Sequence, residues 1–223
     1  MTRFLLLVLG LTVAGAMPTA AKAAGPRFIP VGAASPMPRA FIELCQAQPG
    51  VCTTLAGAPP PAPRRSAAQS DAHDETVGGA SFLTPAPAPA QDDRDDAERM
   101  RMLKRIDASI NAHVRQQSDQ SLYGVPELWR PSGSGRNASG DCEDLAIQKR
   151  LDLIAAGFAP ARLFFAIVYR TDIGLHTVLI ARLDAGDVVL DSRSNFIEPW
   201  SSTRYAWLVA EYPGKPTRWY MTG

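Results

Sequence analysis

The sequence is short of the residues that mark several common protein classes. Its formal charge is +1, from 23 Lys and Arg against 22 Asp and Glu. That balance leaves no basic stripe for a nucleic-acid backbone and no strong pull toward an anionic membrane. Cysteines number three, too few for a disulfide scaffold and without the paired spacings of a zinc site. Histidines also number three, so few side chains can act as a base near neutral pH. Beyond residue 16 no stretch approaches the roughly 20 apolar residues that a membrane-spanning helix needs.

What is present divides the chain into four parts. Arg3, the apolar run Phe4 to Ala16, and Ala21-Lys22-Ala23 read as a signal peptide over 1–23, cleaved after Ala23. An uncleaved anchor is the other reading of that run; once the signal is removed, the mature protein is expected outside the cytoplasm without stable membrane insertion. Residues 24–56 form a short segment with Cys45 and Cys52 seven apart and Pro49-Gly50 between them as a turn. In an oxidising compartment the pair closes a disulfide loop, and otherwise it is two free thiols. Residues 57–91 contain Pro59-Pro60-Pro61-Ala62-Pro63 and Pro85-Ala86-Pro87-Ala88-Pro89, a linker composition that buries no core. Residues 92–223 hold the folded domain.

In that domain Leu103, Ile106, Ile110 and Val114 recur at helical spacing, behind the acids Asp92 to Asp96 that suit a helix start. Residues 131–140 are rich in Gly and Ser and read as a loop. A second helix is expected from Asp141, with Ile147, Leu151 and Ile154 on its apolar face and Gly157 as its stop. Leu163 to Tyr169, Thr177 to Ile180 and Val188 to Leu190 read as buried strands, with Asp184 to Asp187 as a hairpin turn. The aromatic tail, including Trp200, Tyr205, Trp207 and Trp219, is read as wall and core. Helices followed by an antiparallel meander make an α+β domain.

Three residues of this domain carry potential chemistry. Cys142 is the cysteine left over from the pair. If Asp141 caps the second helix, unpaired N–H groups of its first turn point toward the sulfur and favour thiolate, which is the nucleophile. Glu143 and Asp144 oppose this, because adjacent negative charge raises a thiol pKa. A buried, inert cysteine is the plainer alternative. His176 begins the second strand, where it is either structural or a base for Cys142. Asp191 ends the third strand, where it either caps a turn or fixes a histidine tautomer. A hairpin centred on Ala185 sets Asp191 opposite Leu179, about 10 Å along the strand from His176.

Gly140-Asp141-Cys142-Glu143-Asp144, Leu175-His176-Thr177-Val178-Leu179 and Val189-Leu190-Asp191 resemble the bacterial transglutaminase-like cysteine peptidases, in particular their LapG-like periplasmic branch. Tyr123-Gly124, Trp129, Lys149-Arg150 and Pro199-Trp200 extend the likeness over residues 100–220, and more loosely over Phe41 to Cys52. The resemblance implies a papain/transglutaminase-like α+β fold, with helices packed on a small antiparallel sheet. It implies Cys142 as nucleophile, His176 as general base and Asp191 as the orienting acid, with calcium held by Asp141, Glu143 and Asp144. No organic cofactor is expected. A LapG-like role further implies a periplasmic location, a large surface adhesin as substrate and an inner-membrane cyclic-di-GMP receptor as partner. The sequence departs from the family at Ser192, where members usually carry Asn. Backbone N–H groups near Cys142, helped by Trp129, are expected to hold the oxyanion. A transglutaminase or deamidase with the same three residues, and a non-catalytic metal-binding or interaction module, are the competing readings.

Overall fold

A computed structural model describes residues 26–57 and 94–223. The expected signal peptide, nearly all of the 57–91 linker and His73 lie outside the described residues. In chain order the elements are β1 (Ala34–Ser35), α1 (Arg39–Ala47), α2 (Pro49–Leu55), α3 (Asp96–His113), β2 (Arg115–Gln116), α4 (Asp119–Tyr123), β3 (Ser139–Gly140) and α5 (Cys142–Ala155). Six strands follow: β4 (Leu163–Arg170), β5 (Gly174–Arg182), β6 (Asp187–Asp191), β7 (Ser194–Pro199), β8 (Ala206–Tyr212) and β9 (Lys215–Met221).

Helix α3 forms where the apolar period asks for it. Asp95 caps it, accepting from the Glu98 N–H at 2.7 Å, and Asp96 and Glu98 sit in the first turn, where the helix dipole favours acids. Leu103 and Ile110 are buried on its inner face. Helix α5 is covered far beyond the single apolar face that Ile147, Leu151 and Ile154 suggest. Every residue from Glu143 to Arg150 is buried, because the helix is packed between α3 and the sheet. Its charged side chains therefore need partners inside the protein. Lys149 Nζ lies 2.6 Å from Asp107 Oδ1 of α3, and Arg150 pairs with Glu211 of β8 at 2.6 Å.

The main sheet has seven strands among the described residues, in the order β1-β9-β8-β4-β5-β6-β7, and all its pairs are antiparallel. It is larger than the small sheet expected, because the aromatic tail supplies β8 and β9 and the N-terminal segment adds β1. Strand β4 reads as a continuous apolar run because both of its faces are covered. Phe165 packs with α1 and α5 residues, whereas Phe164, Ala166 and Val168 pack with Val178, Val189 and Tyr220 on the other face.

The turn between β5 and β6 corrects the expected register. Leu183 and Gly186 exchange backbone hydrogen bonds of 3.0 and 3.2 Å, so the centre falls between Asp184 and Ala185 instead of on Ala185. Leu179 consequently pairs with Leu190, not with Asp191. A shift of one residue exchanges the faces of a strand. One step further along this ladder Asp191 stands opposite Val178, and His176 becomes its diagonal neighbour on the same face, within reach of long side chains.

The N-terminal segment is built into this body. Cys45 and Cys52 form a disulfide. Pro49-Gly50 is the start of α2 and not a free turn; proline suits the first position of a helix, where its missing N–H costs nothing. Phe41 is fully buried, with its ring 5.6 Å from Trp129, 6.0 Å from Phe165 and 5.9 Å from Trp219, all edge-on. Arg150 also donates to the Leu55 carbonyl at 2.8 Å. Replacing Phe41 by Ala removes the centre of this cluster, and chemical denaturation should show a loss of about 3–5 kcal/mol; a loss below about 1 kcal/mol would mean that the segment is only loosely attached.

Candidate active site

Short pairing between β2 and β3 assembles the site from below. Arg115 and Gln116 run parallel to Ser139 and Gly140, and the Gln117 N–H reaches the Gly140 carbonyl at 3.0 Å. The chain before α4 is thereby held against the start of α5. The loop before β3 is tied to the same helix, since the Arg130 N–H donates to Asp144 Oδ1 at 2.9 Å and the Gly133 N–H to Gln148 Oε1 at 3.0 Å. Gly140 has a physical reason to be glycine: a Cβ there would lie 2.5 Å from Asp144 Cβ and 2.6 Å from its Oδ2.

Cys142 is the first residue of α5, with Asp141 at the capping position. The Asp141 carboxylate makes no cap bond to the helix; it accepts instead from the Asp119 N–H at 3.3 Å. The half-buried Cys142 thiol donates to Glu143 Oε2 at 2.8 Å and accepts from the Thr177 N–H at 3.4 Å. Burial, and after it the Glu143 carboxylate, push this thiol well above its usual range. His176 and Cys142 together line two adjoining cavities. One, of about 260 Å³, is walled by Pro38, Ala40, Trp129 and Ile167. The other, of about 470 Å³, is walled by Gln116, Gln117, Ser118 and Arg193. Leu175 borders both and is 68% exposed.

His176 and Asp191 meet through Nε2 and Oδ1 at 2.8 Å. Burial works to raise the Asp191 pKa, but the His176 bond and charge, the Tyr205 hydroxyl and the Arg193 N–H outweigh it and bring it down to about 2. An ionised carboxylate only accepts, so Nε2 carries the proton and donates it to Asp191. The Nδ1 atom is left as the acceptor of the ring. Trp129, expected near an oxyanion, has its indole N–H bonded to Glu127 Oε1 at 2.7 Å and its ring in the Phe41 cluster.

The acids divide differently from the expected trio. Asp119, Asp141 and Glu143 each offer an oxygen within 4.8 Å of the others. Asp144 stands apart, with Oδ1 on the Arg130 N–H and Oδ2 against Gly140. Burial, and then the charge of Asp141, raise Glu143 to about 9. Burial, with the neighbouring acids Asp141 and Asp119, raises Asp144 to about 8. Burial and the charge of Asp119 raise Asp141 to about 6. The buried atoms Asp119 Oδ1, Asp141 Oδ1 and Asp144 Oδ2 have no hydrogen-bond partner. Crowded carboxylate oxygens with unsatisfied lone pairs fit a hard divalent cation such as calcium. Asp119 was not singled out from sequence, where it lies 22 residues before Asp141 with no motif to mark it; Tyr205 was read only as wall.

A cysteine at the start of a buried helix, beside a strand-borne His–Asp pair over an antiparallel sheet, has the build of a transglutaminase-like cysteine peptidase. Residues 85–222 match the model of the bacterial transglutaminase-like cysteine proteinases, BTLCP, and the chain belongs to this family of cysteine peptidases. Among solved structures it is similar to Legionella pneumophila LapG, at 20% identity and a TM-score of 0.44, over 50% of this chain and 63% of that one. The calcium-bound form of that protein gives 20% and 0.44, over 50% and 64%, and the EGTA-treated form 20% and 0.43, over 50% and 62%. The matched region thus spans less than two thirds of the LapG chains. No curated protein matches the chain.

The close approach at Gly140 yields a direct test. Gly140→Ala should destabilise the fold by about 1–3 kcal/mol, the usual cost of overpacking, and should lower thiol labelling of Cys142 by shifting the helix start. An unchanged melting curve and labelling rate would show that Asp144 moves aside without cost.

Proposed function

We propose that the chain is an exported cysteine endopeptidase, in which Cys142 is the nucleophile, His176 its general base and Asp191 the acid that fixes the imidazole. The observation that carries this reading is the Nε2–H bond to Asp191, which leaves Nδ1 as the basic atom of a histidine that shares both cavities with Cys142. His176 takes the thiol proton on Nδ1 as sulfur attacks a peptide carbonyl. The Thr177 N–H, which donates to the sulfur, steadies it as thiolate, and backbone N–H groups at the start of α5 hold the developing oxyanion. Collapse of the tetrahedral adduct breaks the C–N bond, and His176 returns its proton to the leaving amine. Water, deprotonated by His176, then attacks the thioester and releases the acid and the free thiol.

The thiol bonded to Glu143 is a protected arrangement. A calcium ion, when bound by Asp119, Asp141 and Glu143, supplies the positive charge that these carboxylates lack. With its charge so matched, Glu143 would pull less on the thiol proton, and His176 would be left to accept it. Export to the periplasm, after loss of residues 1–23, is supported by the Cys45–Cys52 disulfide, a bond that persists in oxidising compartments. In the mature chain we take 24–56 as an N-terminal segment, 57–91 as a linker and 92–223 as the peptidase domain; residues 26–56 pack on residues 94–223. The substrate is a protein, and by the family resemblance a large surface adhesin, with an inner-membrane cyclic-di-GMP receptor as the restraining partner.

Cys142→Ala and His176→Ala should each abolish cleavage of an adhesin-type peptide without changing the melting curve. Asp191→Asn should lower kcat by about 10⁴-fold, as loss of the correct tautomer does in other triads. Near-normal turnover in any of the three removes the role assigned to that residue.

Calcium dependence has its own sign. Asp141 and Glu143 have raised pKa values in the folded protein, about 6 and about 9. In a chelator, the stability they contribute is complete below the unfolded carboxyl range near pH ~4 and is lost as pH rises through those values. Calcium should therefore raise the melting temperature more at pH 8 than at pH 5, and Asp119→Ala should remove that gain. A calcium shift that is equal at both pH values, or none at all, would exclude this cluster as the site.

A further inference from the structure

Asp191 is held by more than its histidine. Its Oδ1 accepts from His176 Nε2 at 2.8 Å and from the Arg193 N–H at 2.9 Å, and its Oδ2 accepts the Tyr205 hydroxyl proton at 2.5 Å. Tyr205 comes from a separate part of the chain, just after the short turn Trp200–Ser202 and just before β8. Its ring lies 5.8 Å from that of His176, at an interplanar angle of 38°. The Arg170 guanidinium carbon lies 5.3 Å from the centre of the same ring. On the backbone side, Asn111 of α3 donates to the Asp191 carbonyl at 2.9 Å and to the Ser194 carbonyl at 3.1 Å.

A carboxylate gripped by one oxygen can still turn about its last torsion, which has only a broad, roughly two-fold preference. Donors on both oxygens, arriving from β5 and from the segment before β8, fix its plane. The fixed plane fixes the imidazole, because Nε2–H must point along the Oδ1 lone pair. The Tyr205 ring then supports the imidazole itself. We propose that Tyr205 is a positioning residue, whose hydroxyl locks the Asp191 carboxylate and whose ring braces His176, so that the imidazole keeps its proton on Nε2 and offers Nδ1 to Cys142. This rests on the reading of Cys142, His176 and Asp191 given above. Tyr205 lines neither of the cavities at Cys142; it acts through Asp191 and His176. Burial, and the hydrogen bond to Asp191, raise the phenol pKa, so the hydroxyl keeps the proton that it donates.

Tyr205→Phe in the mature, calcium-loaded chain tests this, because it keeps the ring and removes only the hydroxyl. Loss of one hydrogen bond to a charged acceptor should lower kcat about tenfold or more, with KM changed by less than about twofold. Two-bond ¹⁵N–¹H correlation spectra should show His176 as the Nε2–H tautomer in the wild type and as a mixture in the variant. A melting midpoint within a few degrees of wild type checks that the variant folds. Both changes together bear the proposal out. An unchanged kcat, an unchanged tautomer, or a rise in KM that accounts for the whole loss overturns it. Failure of the underlying reading looks different: the wild-type protein would then turn over peptide no faster than Cys142→Ala.

Discussion

Helix α5 must be buried, and it is charged. Its side chains Glu143, Asp144, Lys149 and Arg150 are all out of solvent, where an unpaired charge is prohibitive and loss of one partner of a pair typically costs about 3–5 kcal/mol. The remedy ties the helix to three different parts of the fold. Lys149 binds Asp107 on α3, Arg150 binds Glu211 on β8, and the same Arg150 takes the carbonyl of Leu55 at the end of α2. Apolar residues of similar volume would bury as well, and often with equal stability. They would not dictate the rotation or the axial position of the helix so narrowly. Cys142 stands at the end of this clamped rod, so its relation to β5 is set by ion pairs on the turns that follow.

The four acids work against the chemistry that the helix start invites. A helix N-terminus favours thiolate, yet burial of the sulfur, and after it the Glu143 carboxylate that accepts its proton, raise the thiol pKa. The cluster is also strained on its own account, with Glu143 and Asp144 holding protons at pH values where exposed carboxylates have lost them. One positive charge among Asp119, Asp141 and Glu143 would relieve both conflicts at once. Repulsion within the cluster and part of the rise in the thiol pKa thus share one electrostatic origin, added to the larger effect of burial.

What was legible in the sequence follows the range of each interaction. Helix α3 declared itself by period and by its acidic start, and β4 to β6 by apolar runs, because those signals are local. Cys142, His176 and Asp191 stood out as rare or misplaced residue types at element ends. Their meeting was implied by the family resemblance but not legible from strand register, which depends on whether a two-residue turn is centred on Ala185 or half a residue earlier, and that difference decides which face Asp191 occupies. Asp119 was hidden for another reason. It joins Asp141 only because β2 and β3 pair in parallel, a contact between two-residue strands that leave no periodic trace. Trp129 lines a cavity with Cys142 and His176, but its indole N–H is engaged by Glu127, a pairing two residues apart that no sequence pattern marked.

The N-terminal segment shows how far the cleft extends beyond its chemistry. Residues 26–57 lie before the stretch 85–222 that matches the family, yet Pro38, Arg39 and Ala40 wall the same cavity as Cys142 and His176. Their position is not left to surface contact. The next residue, Phe41, is the hub of an aromatic cluster with Trp129, Phe165 and Trp219, and the Cys45–Cys52 bond joins α1 to α2, whose last carbonyl is held by Arg150. Arg150 therefore connects the cleft wall to the helix that carries the thiol, eight residues after Cys142. A disturbance of α5 reaches the sulfur and the wall of its cavity together, so the shape of the cleft and the placement of the nucleophile are not independent properties of this fold.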